Sequence, residues 1–170
     1  MFNCLHILMT EKLNLTIRPA DISEVKNIHN ILLESFIPYK KYYTESAFNA
    51  TVISTDEITK RIKNSEFCVL VALFNNKITG TASIYQRKQK SLHINTMAVD
   101  PRYQNKGIGL QLIQYISDVA KQKNLQKLSL ETSKPLEKAI KFYRKFGFKK
   151  TGKIRDYFGI EIFEMIKPLK

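Results

Sequence analysis

Apolar and polar residues alternate from Leu13 to Arg18, with Leu13, Leu15 and Ile17 on one side and Asn14, Thr16 and Arg18 on the other. A period of two predicts a half-buried strand, ended by Pro19-Ala20-Asp21. The period then changes. Val25, Ile28, Ile31 and Leu32 share one side of a helix that Asp21 or Ser23 can cap and that Pro38 interrupts. Residues 39–55 hold Tyr39, Tyr42, Tyr43 and Phe48 in an irregular or weakly helical stretch, and Thr55-Asp56-Glu57 opens a short helix through Lys63. Glu66 to Phe74 is an apolar, β-branched run that predicts a buried strand. Asn75-Asn76 turns it into a hairpin with Lys77 to Arg87, and Lys88 to Lys90 turns again into a fourth strand, Ser91 to Val99. A helix from Gly107 to about Lys123 carries Leu112, Ile113, Ile116, Val119 and Ala120 at three-four spacing. Leu125 to Thr132 is a fifth strand. Pro135 begins a helix with Leu136, Ala139, Ile140, Tyr143 and Phe146 on one face, and Phe148–Lys153 and Gly159–Ile166 close the chain as a hairpin.

The order β-α-α-β-β-β-α-β-α-β-β predicts a single-domain α/β protein, a mixed sheet of about seven strands flanked by helices. With 170 residues and no repeat or linker, one domain with a sizeable core is expected over 13–170, with 1–12 as an N-terminal extension. Met9 offers a second start. Residues 2–9 have no basic flank and no small-residue cleavage site, unlike a signal peptide. No apolar run approaches the roughly 20 residues of a membrane helix. Cys4 and Cys68, only two and far apart, suggest free thiols in a reduced cytoplasmic setting.

The net charge of +13 raises nucleic acid as a partner. The lysines are spread over every segment and no reader motif accompanies them, so no nucleic-acid or membrane partner is expected and a solvated basic surface is the plain reading. A positive field would also steer an anionic ligand inward.

Such a ligand has a place to go. Gln104-Asn105-Lys106-Gly107-Ile108-Gly109 links the strand ending Met97-Ala98-Val99-Asp100-Pro101 to a helix start. Free amides and the positive end of the helix dipole make such a junction an anion site. Gly107 and Gly109 lack the Cβ atoms that would hold a phosphate off the backbone, and Lys106 adds charge. A Walker loop is excluded because lysine precedes the glycine and no Ser/Thr follows it. A Rossmann fingerprint is excluded because Leu112 stands where a third glycine is needed.

The remaining pattern, Q-x-x-G-x-G after Met-Ala-Val-x-Pro, resembles the acetyl-CoA motif of the GNAT superfamily of N-acetyltransferases. Downstream, Ala139-Ile140-Lys141-Phe142-Tyr143-Arg144-Lys145-Phe146-Gly147-Phe148 is similar to the A-x-x-F-Y-x-x-x-G-F signature that closes the same fold. The likeness extends from about Leu13 to Leu169.

The resemblance implies a GNAT-like fold and transfer of an acetyl group from acetyl-CoA to a primary amine, by direct attack and without a metal. The acceptor is a small molecule or a protein amino group. It implies that the fourth and fifth strands splay near a bulge. Backbone groups of Met97, Ala98 and Val99 would hold the pantetheine arm, and those of Gln104, Asn105, Lys106, Gly107, Ile108 and Gly109 the pyrophosphate, with Leu110 at the ligand's edge. Arg102, Lys134, Lys138 and Lys141 would add charge around it. Tyr143 is either the general acid for the departing thiolate or simply core. His93, where some members carry a glutamate, is a candidate base, and Glu131 is its rival; a water chain is the third option. Leu136 replaces an asparagine that contacts CoA in many members, with Thr132 or Ser133 as substitutes. The last hairpin offers an edge for a homodimer. A non-catalytic acyl-CoA-binding module in the same fold is the alternative function.

Overall fold

The computed structural model describes residues 14–169, so the extension expected at 1–12 lies outside the described residues. Seven strands form one sheet: β1 (Leu15–Pro19), β2 (Phe67–Phe74), β3 (Lys77–Arg87), β4 (Ser91–Val99), β5 (Lys127–Ser133), β6 (Lys149–Tyr157) and β7 (Ile160–Pro168). Their spatial order is β1-β2-β3-β4-β5-β7-β6. Every neighbouring pair is antiparallel except β4 and β5. The helices are α1 (Val25–Phe36), α2 (Glu45–Thr51), α3 (Thr55–Lys63), α4 (Ile108–Gln122) and α5 (Glu137–Lys145).

The expected order holds with one addition. The stretch read as irregular or weakly helical contains α2, whose N-cap is the Thr44 hydroxyl accepting from Ala47 N at 3.1 Å. Its single apolar turn, Ala47 and Phe48, is too short to show a helical period. Asn75 and Asn76 both take positive φ (50° and 59°), as the two-residue hairpin between β2 and β3 requires.

Two apolar cores form, one on each face of the sheet. Leu70, Ala82, Ile84, Leu92 and Leu128 pack against Leu112, Ile113 and Ile116 of α4 and Ile140 of α5. Val69, Val71 and Ala98 pack against Ile28, Ile31 and Leu32 of α1, with α2 and α3 alongside. Each fully buried Leu or Ile contributes about 1.5–3 kcal/mol, so the helical stripes, rather than helix propensity, hold these segments in place.

Cys68 is buried in β2 and is disulfide-bonded, which corrects the expectation of free thiols; Cys4 lies outside the described residues. Among the described residues no helix is long and apolar enough to cross a membrane.

The feature that creates the site is in the middle of the sheet. β4 and β5 pair only from Ser91–Lys127 to Ile94–Leu130. Beyond that, β4 stays with β3 as far as Val99, and β5 stays with β7 as far as Ser133. The two strands therefore part. The register between β3 and β4 also slips by one, Ile84 facing Ile94 but Ser83 facing Thr96, so Asn95 is an inserted bulge residue. A one-residue insertion reverses which side chains face which layer. Leu92 and Ile94 face α4 and, after the bulge, Met97 and Val99 do so, while Ala98 joins the opposite core.

Candidate active site

The parting of β4 and β5 opens a cavity of about 850 Å³ that is lined from both faces of the sheet. On the α4 side it is bounded by the start of α4, by Met97 and Val99, and by Phe142 and Tyr143 of α5. On the other side it is bounded by Ser35, Tyr39, Tyr43, Arg61, Arg155 and Tyr157.

Backbone direction on β4 decides what faces the gap. Asp100 N donates to Thr79 O at 2.9 Å, so Asp100 points toward β3. Strand alternation then turns the backbone groups of Ala98 to β3 as well, and those of Met97 and Val99 toward the gap. The Val99 carbonyl is already taken, accepting from Gln104 Nε2 at 3.1 Å and Ser35 Oγ at 3.2 Å.

The junction into α4 is a tight turn with two left-handed residues. Asp100 Oδ1 accepts from Arg102 N at 3.0 Å and closes a tight turn over Pro101–Tyr103. Asn105 and Gly107 then take left-handed φ values of 63° and 80°. Gly107 is the N-cap and provides no side-chain cap. The first helical bond of α4, Gln111 N to Gly107 O at 3.0 Å, leaves the amides before it without intrahelical acceptors. Ile108, Gly109 and Leu110 line the cavity there, with Gln104 and Asn105 beside them. Gly109 has a second reason to be glycine: a Cβ would stand 3.2 Å from Cζ of Phe142.

Lysine side chains sort unevenly. Lys106 is not among the lining residues; its ammonium lies 5.4 Å from the Tyr103 ring and 5.6 Å from the Phe74 ring. Arg102 is spent on Asp100, at 2.7 Å. Lys134 does not line the cavity either, whereas Lys138, Lys141 and Lys145 of α5 do.

Tyr143 lies on the buried face of α5 with its ring edge-on to Phe142 and Phe148, and it lines the cavity. Burial pushes its phenol up to about 12, so it is protonated at any physiological pH. Nearby on β5, the Thr132 hydroxyl is buried without a hydrogen-bond partner. Ser133 is engaged, its Oγ lying 2.9 Å from Tyr43 Oη. Of the two hydroxyls suggested as substitutes at the Leu136 position, Thr132 is therefore the one with a bond to offer.

His93 is buried and lines the cavity. Its Nδ1 is 3.0 Å from Ser129 Oγ. Burial first, then the Arg87 charge, lowers its pKa to about 3, so the imidazole is neutral. Glu131 accepts from Arg155 Nε at 3.1 Å and Nη2 at 2.7 Å, and lies 3.8 Å from Arg87. Burial raises its pKa, but Arg155 and Arg87 together outweigh that and leave it lowered. Neither group is a strong base. No cluster of three metal-ligating side chains occurs among the described residues.

Sequence reasoning missed Arg61, Asn95 and Ser129. Arg61 reaches the cavity from α3 and is met there by the bulge, Arg61 Nη1 donating to Asn95 Oδ1 at 2.6 Å. Nothing local marks such a meeting, because it joins segments far apart in the chain.

The chain as a whole is similar to known proteins. The acetyltransferase (GNAT) family model matches residues 25–148. The chain is similar to glucosamine 6-phosphate N-acetyltransferase 1 of Dictyostelium discoideum, 26% identical over 144 residues, covering 81% of this chain and 87% of that protein. Likeness to the glucosamine 6-phosphate N-acetyltransferase of Trypanosoma brucei brucei is 33% over 79 residues, spanning 43% of this chain and only about half, 52%, of that enzyme. Spermidine N(1)-acetyltransferase of Escherichia coli K12 is 26% identical over 150 residues, 85% of this chain and 77% of that one. Among solved structures, the paia N-acetyltransferase of Thermoplasma acidophilum in complex with coenzyme A superposes with a TM-score of 0.75 at 21% identity, covering 91% of this chain and 98% of that chain. At that identity the match speaks to the fold.

Proposed function

This chain belongs to the acetyltransferase (GNAT) family, and from that premise we propose that it transfers an acetyl group from acetyl-CoA to a primary amine by direct attack, with both substrates bound together. The observation that carries this reading is the gap between β4 and β5 beyond Ile94 and Leu130, with the uncapped start of α4 and Tyr143 on its walls.

The residues present fit the cosubstrate. Amides from Gln104 to Gly109 bind the pyrophosphate, and Leu110 borders it. Lys138, Lys141 and Lys145 add positive charge along the same side. The orphan Thr132 hydroxyl and the Met97 and Val99 N–H groups receive the pantetheine arm. When bound, acetyl-CoA supplies an acyl group activated as a thioester.

Met97 or Val99 N–H faces the acyl oxygen as it gains negative charge; a fixed donor of this kind is worth roughly 3–4 kcal/mol. Tyr143, kept protonated by burial, donates to the departing sulfur. The acceptor arrives as an ammonium. Arg61 and Arg155 lie in the same cavity, and like charge favours the free amine. His93 and Glu131 are both too weak to keep the proton, so each serves only to pass it on to water. The relatives named for glucosamine 6-phosphate and spermidine both act on amines, which supports an amine acceptor.

The test is to incubate the purified chain with acetyl-CoA and a panel of amines, reading free thiol and the mass of the acetylated amine. Equal amounts of both products are expected. Calorimetric binding of acetyl-CoA with no thiol released by any amine would leave a binding module and overturn transfer; no binding would overturn the whole reading.

A further inference from the structure

The acceptor side of the cavity is cationic. Among the described residues that line the cavity, Glu131 is the sole carboxylate, and Arg155 grips both of its oxygens. Arg87 adds a second positive charge to that carboxylate. An acceptor bearing only positive charges would find no free partner here and would face two guanidinium groups.

Arg61 is the group that remains available. Its side chain is only 14% exposed and stacks over the Phe67 ring at 5.4 Å. Its Nε is used by Glu57 at 3.0 Å and its Nη1 by Asn95 at 2.6 Å. The Nη2 end makes no hydrogen bond with any described residue and belongs to a side chain lining the cavity. Glu57 is itself 42% exposed, so solvent weakens its hold on the charge. Arg61 lines the same cavity as Tyr157 of β6. Asn95 is the bulge residue of β4, at the point where the strands part. One local distortion thus opens the gap and orients a guanidinium beside it.

We infer that Arg61, positioned by Asn95, binds an anionic oxygen group on the acceptor, so that the preferred substrate is a primary amine that also carries a phosphate or a carboxylate. This rests on the acetyl-transfer reading. The open Nη2 end of the guanidinium suits both groups through charge-assisted N–H···O bonds.

The test is thiol release from acetyl-CoA with matched acceptors: glucosamine 6-phosphate against glucosamine, glycine against glycinamide, and spermidine as a polycation. The phosphate and carboxylate arms separate the two anion sources. At least one anionic member should exceed its neutral partner tenfold or more in kcat/KM. Arg61→Gln should bring that ratio close to one, chiefly through KM, and Asn95→Ala should lower it in part. Arg61→Lys, which keeps the charge but not the guanidinium, should retain an intermediate ratio. Preference for spermidine or the neutral members, or an unchanged ratio in Arg61→Gln, would overturn the inference while leaving acetyl transfer standing. Thiol release with none of the amines would overturn both.

Discussion

His93 Nδ1 sits 3.0 Å from Ser129 Oγ, and Ser129 Oγ sits 3.0 Å from Ser91 Oγ, so an imidazole and two hydroxyls form a continuous hydrogen-bonded row. All three side chains are buried. The row satisfies a neutral ring. A charged one would face desolvation and the Arg87 guanidinium, hence the fall in pKa from 6.5 to about 3. Between those values the unfolded chain binds a proton that the folded chain refuses, so stability rises with pH there. The contribution is full above pH 6.5 and is lost as pH falls through 3, amounting to at most roughly 5 kcal/mol. Urea titrations from pH 7 to pH 4 should therefore show a steeper loss in the native chain than in His93→Gln, which cannot take up the proton. Parallel slopes would refute a buried neutral His93.

Tyr143→Phe keeps the ring contacts with Phe142 and Phe148 and removes only the phenol oxygen. Turnover should fall by about two to four powers of ten, the usual worth of a positioned acid. Acetyl-CoA affinity, by calorimetry, should stay within threefold. The native chain should also lose stability as pH rises from 10 toward 12, because the folded phenol holds its proton longer than the unfolded one. That alkaline loss should shrink in the variant. Full activity in Tyr143→Phe would return this residue to the core.

Thr132→Val replaces a buried hydroxyl that has no partner with a methyl of similar shape. An unsatisfied buried polar group costs about 1–3 kcal/mol, so the variant should be as stable as the native chain or more so by thermal melting. Acetyl-CoA should bind about tenfold more weakly, the value of one hydrogen bond. A variant that loses stability, or binds as before, argues that the hydroxyl does not face the ligand.

Gly107→Ala and Gly109→Ala should separate two uses of glycine. Gly107 has φ of 80°, where an alanine costs roughly 1–2 kcal/mol and crowds the amides of the junction. The melting temperature should drop by about 2–8 °C, and acetyl-CoA affinity by tenfold or more. At Gly109 the added methyl meets Phe142 Cζ at 3.2 Å, next to Tyr143, so a shift of α5 should lower turnover along with affinity. Calorimetry and kinetics on both variants distinguish the patterns; equal, unaltered affinities would count against phosphate binding at the α4 start.

Much of the frame was legible in the linear chain because it depends on near neighbours. One alternating stretch, apolar runs and turn signals located the strands, and a period of about 3.6 located the long helices. Asn75-Asn76 marked its turn through the positive φ that asparagine tolerates. The glycines of the α4 junction marked a helix start with free amides, which follow from local geometry alone.

Side-chain chemistry in the site was not legible to the same degree. His93 reads in isolation as a group titrating near neutrality; only its burial against Ser129 and the charge of Arg87 make it a neutral ring. Glu131 reads as a free carboxylate until Arg155, from a strand two places away in the sheet, closes on it. Arg61 lies on an ordinary amphipathic helix, and its place at the gap exists only because the Asn95 bulge meets it there. Local periodicity and backbone geometry act over a few residues, so the chain alone determined its elements and the glycine-bearing turn into α4. Desolvation and charge act through space, so only the assembled sheet decided which groups are ionised, which are already paired, and which remain open to a substrate.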